Sequence, residues 1–385
     1  MRIAAVATTL VALSLTAGAS AKPAAHVVAL VWQDQTATIR LLDSATLRAR
    51  GGRLPLVRTG AGPHAFSPNG RRLALQTRKH GVRILAVPSL RVLRTVRPPF
   101  LTYGLLWQSP RRLLILEHGS VLVIDPVTGR VVTRRAWNAD VLAWRQWNGG
   151  AVVLAARLTG RIEPVRVFVV GRNLRIRQVG LARIGAGTDG GENGQGPWRT
   201  ATPALAVDPA GGRAFVAGGS VVATVNLATL VARYHTPART PQKLVDGPQR
   251  VAAWLGSGTL AVSGADYSID GGRQWMTPYG LRFVDVETGA TQVVDARATD
   301  VEVAGGLAIA AGYDRSSQAP GVGLAAYDRG SRLVWHRFDG ARLGSPRAVA
   351  GRVYAYVGRN TWHVLDASTG RTTALRTGIS LNVLG

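Results

Sequence analysis

Apolar residues in this chain come in short alternating runs, separated by Gly, Pro, Asn and Asp, and the pattern repeats from end to end. Val, Ile, Leu and Ala carry the runs. A period of two marks strands, and no long segment with a 3.6-residue period competes with it. The elements predicted are therefore short strands joined by tight turns.

Two units recur. The first is an apolar run, then Asp or a substitute, then often Thr-Gly and a second strand. It reads Leu41-Leu-Asp-Ser-Ala-Thr46, Val123-Ile-Asp-Pro-Val-Thr-Gly-Arg130, Val284-Asp-Val-Glu-Thr-Gly289, Ala326-Tyr-Asp-Arg-Gly-Ser331 and Leu365-Asp-Ala-Ser-Thr-Gly-Arg371. Weaker copies are Leu85-Ala-Val-Pro-Ser-Leu90, Val169-Val-Gly-Arg-Asn173 and Val225-Asn-Leu-Ala-Thr229. The key positions are Asp43, Val87, Asp125, Gly171, Asn226, Asp285, Asp328 and Asp366. The second unit is a Pro/Gly turn before a strand, clearest in Phe66-Ser-Pro-Asn-Gly-Arg-Arg-Leu-Ala-Leu75 and repeated from Trp107 and Val207. Pro presets φ and Gly or Asn supplies positive φ, so both units are hairpin chemistry. Eight copies give about 45 residues each, the period of a four-stranded propeller blade. The chain is predicted to be an all-β propeller of four-stranded antiparallel blades, eight preferred and seven the alternative. His26–Trp32 reads as a second strand, and the alternating run from Ile379 completes the first blade from the C-terminal end. Such closure leaves no open sheet edge in the ring.

The "SPNGRRLAL" turn and the "IDPVTGRVV" and "LDASTGRTTAL" hairpins resemble the bacterial YVTN/WD40-like β-propeller superfamily over nearly the whole chain after the N-terminal segment. The resemblance implies a fold and no particular activity. The Gly-His…Trp-Asp pair of eukaryotic WD40 repeats and a literal Tyr-Val-Thr-Asn copy are both missing.

The first residues follow a different pattern. Arg2, an uncharged apolar stretch Ile3–Ala17 and Ala19-Ser-Ala21 match a secretory signal with its cleavage site. Residues 1–21 are read as the signal peptide, a retained anchor being the alternative, and 22–385 as one propeller domain. No later stretch is apolar enough to span a membrane, so a secreted or cell-envelope location is expected.

Composition changes the picture in three ways. With 385 residues, 46% apolar, 46 Gly and 19 Pro, the chain can bury a large core. The absence of cysteine excludes disulfide scaffolds, thiolate metal sites and thiolate nucleophiles. Lys and Arg number 47 against 21 acids, a formal net charge of +26, and only Lys22, Lys79 and Lys243 are lysines. That arginine skew reflects in part a GC-rich genome, but its field still attracts polyanions non-specifically. Specific nucleic-acid binding is not expected. Arg91, Arg94 and Arg97, then Arg130, Arg134 and Arg135, then Arg172, Arg175 and Arg177 fall on fourth strands, where charge blunts edge pairing or forms a polyanion belt.

Four connections are long: Gly185–Thr202, Thr236–Pro248, Gly264–Gly280 and Gly312–Gly321. By the convention of similar propellers all four lie on one face, over adjacent blades. They carry Asp189, Glu192, Asn193, Trp198, Asp266, Tyr267, Asp270, Arg273, Trp275, Tyr279, Tyr313, Asp314 and Arg315, which are the candidate binding residues. Aromatic faces with short acids and Arg suit sugar or peptide recognition. Ser268-Ile-Asp-Gly-Gly-Arg-Gln-Trp275 is similar to a sialidase Asp-box turn, with Gln274 in place of a hydroxyl residue. Such boxes are structural turns. Asp189, Glu192, Asp266 and Asp270 offer oxygens of the kind that bind Ca²⁺, without EF-hand spacing, and His80 and His118 precede Gly in equivalent turns. No metal or cofactor is assigned. No G-x-S-x-G, H-E-x-x-H or Walker A motif occurs, and the ten Trp do not repeat at blade period as quinone-dehydrogenase docking motifs would. The expected function is a monomeric, non-enzymatic binding or scaffold module for a cell-envelope glycan or protein. The alternative is a hydrolase or lyase with acids at the central channel mouth.

Overall fold

Among the described residues the apolar runs form strands, and these are grouped mostly four to a sheet. The computed structural model describes residues 26–33, 36–56, 61–77, 81–98, 100–189, 199–208, 210–236, 247–270, 273–314, 319–343, 345–358, 361–377 and 380–383. Residues 1–21, expected from the sequence to be a signal peptide, lie outside them. No helix among the described residues is long and apolar enough to cross a membrane.

Eight antiparallel blades follow in chain order. Blade 1 contains β1 (His26–Gln33), β2 (Thr36–Asp43) and β3 (Ala49–Leu56). Blade 2 contains β4 (Ala61–Phe66), β5 (Arg72–Thr77), β6 (Gly81–Ala86) and β7 (Val92–Val96). Blade 3 contains β8 (Thr102–Ser109), β9 (Arg112–Glu117), β10 (Ser120–Ile124) and β11 (Val131–Ala136). Blade 4 contains β12 (Asp140–Trp147), β13 (Gly150–Ala156), β14 (Glu163–Val170) and β15 (Ile176–Asp189), with the short β16 (Arg199–Ala201) paired to the end of β15. Blade 5 contains β17 (Ala204–Asp208), β18 (Arg213–Ala217), β19 (Val222–Asn226) and β20 (Ala232–His235). Blade 6 contains β21 (Gly247–Gly256), β22 (Thr259–Asp270), β24 (Leu281–Asp285) and β25 (Thr291–Asp295), with β23 (Arg273–Pro278) inserted. Blade 7 contains β26 (Asp300–Ala304), β27 (Leu307–Gly312), β28 (Gly323–Tyr327) and β29 (Leu333–Arg337). Blade 8 contains β30 (Arg347–Val349), β31 (Arg352–Val357), β32 (Thr361–Asp366) and β33 (Thr372–Thr377). The last strand, β34 (Ser380–Val383), pairs with β1 through Trp32↔Ser380 to Ala29↔Val383 and completes blade 1. Eight blades and closure by the C-terminal strand are thus as the repeat count predicts.

The first strands of successive blades touch one another, from β4 and β8 through β12, β17, β21 and β26 to β30. They therefore surround the axis, and fourth strands such as β7, β11 and β33 are largely exposed. The core is divided into eight clusters among the described residues, each shared by two neighbouring blades. One strand serves two clusters: Val152, Leu154 and Ala156 of β13 face blade 5, while Ala151, Val153 and Ala155 face blade 3. Burial of both faces explains why inner strands read as near-continuous apolar runs. The cluster of Val27, Ala29, Leu42, Tyr354, Trp362 and Val364 joins blade 8 to blade 1.

The recurring Asp turn joins the third and fourth strands. Asp43 Oδ1 accepts the backbone N–H of Ala45 and Thr46, Asp285 those of Glu287 and Thr288, and Asp366 those of Ser368 and Thr369. These side chains replace backbone acceptors in a tight turn, which is why the motif recurs at blade period.

Candidate functional site

Two of the four long connections prove to be strand extensions rather than irregular loops. β22 continues past its partner β24 and folds back as β23, with Ala265↔Pro278, Tyr267↔Met276 and Asp270↔Arg273 in register. Gly264 stands where the pairing changes, at φ +136, and a Cβ there would lie 2.0 Å from the Gln249 carbonyl oxygen, so only glycine fits. β15 and β16 form a second extension, with Gly187↔Ala201 and Asp189↔Arg199. The Gly-rich composition suggested loops; period-two pairing on either side of Gly271-Gly272 overrides it.

First strands start, and second strands end, on the face that carries these extensions. There a cavity of about 240 Å³ opens at the channel mouth, walled by first strands of blades 4 to 8 and by Tyr267, Met276 and Tyr313 from above. Its lining carries Arg145 of β12, Asp300 and Glu302 of β26 and Arg347 of β30, as well as Arg250 of β21. Asp300 and Glu302 are two apart on one strand and so share its channel side. Arg347 Nη1 lies 3.7 Å from Glu302 Oε1. Arg145 donates to the Trp144 carbonyl at 2.8 Å and reaches near enough to Glu302 for each to shift the other's titration.

Burial dominates the electrostatics of this group. It pushes Glu302 up to about 7, with help from Asp300, and the two guanidiniums offset this only in part. Burial also raises Asp300, against a hydrogen bond from Ser345 and the charge of Arg347. Arg145 is lowered to about 10 by the same desolvation. A carboxyl that is half ionised near neutral pH can donate as well as accept, next to two fixed cations.

The sequence-derived candidates divide into four groups. Tyr267 and Tyr313 line the mouth, and Arg342 stacks over Tyr313 at 4.6 Å while donating to the Asp314 carbonyl at 2.9 Å. Asp266 and Tyr279 are buried instead. Arg250 binds Asp266 Oδ1 at 2.7 Å, donates to the Gly219 carbonyl at 2.8 Å and lies 3.8 Å above the Tyr279 ring. This pair anchors the base of the β22–β23 extension to β21. Asp189, Asp270, Arg273 and Trp275 occupy strand positions of the two extensions. Glu192, Asn193, Trp198 and Arg315 lie outside the described residues, as does His80. His118 Nδ1 is 2.6 Å from Asp140 Oδ1. Among the described residues no three His, Asp or Glu gather closely enough to hold a metal ion.

Arg145, Asp300, Glu302 and Arg347 were not singled out by sequence reasoning. One signal was present: Asp300-Val-Glu302 places acids at alternate positions of a first strand. Abundant arginine hid the two cationic partners.

The sequence matches no protein-family model and no curated protein. Solved structures are similar in fold. Dihydro-heme d1 dehydrogenase NirN in complex with DHE superposes with a TM-score of 0.60 at 12% identity, over 96% of this chain and 77% of that one. BamB from Moraxella catarrhalis gives 0.54 at 12% identity, over 90% of each chain. At this identity the similarity shows an eight-bladed β-propeller and leaves the activity to be argued from the site.

Proposed function

We propose that this protein is an exported propeller that binds an acidic glycan of the cell envelope at its channel mouth, without turnover. The observation that carries the reading is the lining of the 240 Å³ cavity, where Arg145 and Arg347 stand beside Asp300 and Glu302. Guanidiniums recognise a sugar carboxylate, and the acids take hydroxyls. Tyr267 and Tyr313 at the rim offer ring faces to a sugar C–H face. The volume suits one sugar residue, at roughly 30 Å³ per displaced water. The net positive charge favours an acidic glycan further.

Titration calorimetry with glucuronate, galacturonate and glucose tests this. Binding of the uronates but not of glucose is expected, with Arg347→Met weakening it by about tenfold or more, the equivalent of one charge-assisted hydrogen bond. Equal affinity for glucose, or an Arg347→Met variant that binds uronates normally, refutes it.

A second reading, a hydrolase or lyase, is favoured by the carboxyl pair Asp300 and Glu302 in the cavity, where burial pushes Glu302 up to about 7, in the range suited to a general acid or base. Incubation with acidic oligosaccharides decides between them. Cleavage products that vanish in Glu302→Gln, with binding retained, would establish catalysis.

A further inference from the structure

Most exposed apolar side chains among the described residues fall into two groups, apart from Val127 and Tyr356. Val92, Val131, Val132, Val293, Leu333 and Leu375 lie on fourth strands and recur from blade to blade. Phe100, Leu101, Leu158 and Ile162 are different: they are 45%, 50%, 51% and 39% exposed and sit on connections of the long-extension face. The segment between β7 and β8 carries the first two, and the segment between β13 and β14 carries the others.

The two segments are joined into one surface. The Phe100 ring packs edge-on against His118, 6.3 Å between centroids. His118 pairs with Asp140 Oδ1, and Asp140 Oδ2 accepts the Leu158 N–H at 3.1 Å. Arginines surround the apolar tips. Arg134 lies 5.2 Å over Phe100, and Arg97, Arg157 and Arg161 are exposed on the same two segments. The nearby acids are engaged: Asp140 as above, Glu163 by the Thr159 hydroxyl at 3.0 Å, and buried Glu117 by the Ser120 hydroxyl at 2.8 Å, with half-exposed Arg134 3.8 Å away.

We propose that this patch over blades 3 and 4 docks on an anionic lipid bilayer. Phe100, Leu101, Leu158 and Ile162 enter the headgroup–acyl boundary, and Arg97, Arg134, Arg157 and Arg161 contact lipid phosphates. Long arginine stems let the charges stay at headgroup level while the apolar tips go deeper. The charge of the whole chain adds attraction to an anionic surface. Anionic polymers would satisfy the arginines but leave the four apolar tips in water, so lipid is the occupant that accounts for both. The patch is separate from the channel mouth, and the two proposals fail independently.

Sedimentation of the exported chain, its N-terminus fixed by mass spectrometry, with vesicles of phosphatidylcholine alone and with added phosphatidylglycerol tests the docking. Binding to the anionic vesicles only is expected, and the combined Phe100→Ser, Leu101→Ser, Leu158→Ser and Ile162→Ser variant should bind them at least about tenfold more weakly. The rim pair Val131→Ser and Val132→Ser should bind as the parent does. Parent-like binding by the fourfold variant reduces the attraction to bulk charge and overturns the proposal, as does failure to bind anionic vesicles. Should the fourfold variant not fold, Leu158→Cys serves, because the chain has no other cysteine. An environment-sensitive dye there should shift to the blue on anionic vesicles; an unchanged spectrum with bound protein also overturns the proposal.

Discussion

The repeated turn between third and fourth strands puts one residue at positive φ, and the adjoining blade decides which residue that is. Gly129, Gly289 and Gly370 take it at φ +78, +77 and +65. A Cβ on Gly370 would lie 2.5 Å from the Trp335 ring of blade 7, and one on Gly289 2.7 Å from His235 of blade 5. Leu47, Leu90 and Leu174 hold the same position at φ +53, +56 and +61 and are buried between blades. Their apolar burial offsets a left-handed cost of about 1–2 kcal/mol. Gly370→Ala should therefore destabilise the protein by about 1–3 kcal/mol in chemical denaturation, from backbone strain plus overpacking. Gly351→Ala, at φ +75 with nothing near its Cβ position, should show only the backbone part. Equal losses in the two variants would exclude a role for Trp335. The Asp and Gly of this turn were legible in the sequence because a tight turn needs them locally. The Leu copies were not, since their reason is a pocket against the preceding blade.

Between elements, the same side chains explain some of the arginine excess. Arg94 of blade 2 donates to the Val127 carbonyl of the blade 3 turn at 3.2 Å. Arg177 of blade 4 donates to Ala228 and Leu227 of blade 5 at 2.7 and 2.8 Å, and Arg337 of blade 7 to Gly370 of blade 8 at 2.9 Å. Fourth-strand arginines thus staple blades 2, 4 and 7 to the turn of the next blade, a role that neither edge-blunting nor a polyanion belt anticipates. Sequence position alone placed Arg94 and Arg177 on the right strands but could not show where they reach. The closing joint uses other groups: the buried Tyr354 hydroxyl donates to the Ser44 carbonyl at 2.7 Å. Tyr354→Phe should cost about 1 kcal/mol and Tyr354→Ala about 3–5 kcal/mol in urea denaturation. A Phe variant as weak as Ala would mean that the hydrogen bond, not packing, holds the joint. Removing the chain from Ser380 onward bares the edge of β1. A lower melting temperature and concentration-dependent association are then expected by calorimetry and light scattering; a monomer with unchanged melting would show that β34 is dispensable.

At the scale of the molecule, two sets of carboxyls give stability opposite slopes with pH. The Ser368 and Thr369 groups hold Asp366 below its ordinary 3.8, and the Thr288 and Glu287 amides do so for Asp285. Stability from these turns is present above pH 3.8 and falls away as acid protonates them. Glu302, raised from 4.5 to about 7, keeps a proton that the unfolded chain has released, so stability declines as pH rises between those values. Thermal melting should peak between these two limits, and Glu302→Gln should flatten the upper decline while leaving the acid side unchanged. A parent-like upper slope in that variant would assign the decline to another group. The ring itself was legible because each turn repeats its own chemistry, whereas the charged lining of the mouth was not. Which position of a first strand faces the axis depends on all eight blades at once. The closure of blade 1 also fixes the ring's polarity. β1 begins at His26 and β34 ends at Val383, opposite Ala29, toward the face opposite the extensions, because second strands start where first strands finish. A tag, fluorophore or solid support attached through either point therefore sits behind the ring. Immobilised that way, the protein presents its open mouth and its apolar–arginine patch together to whatever flows past.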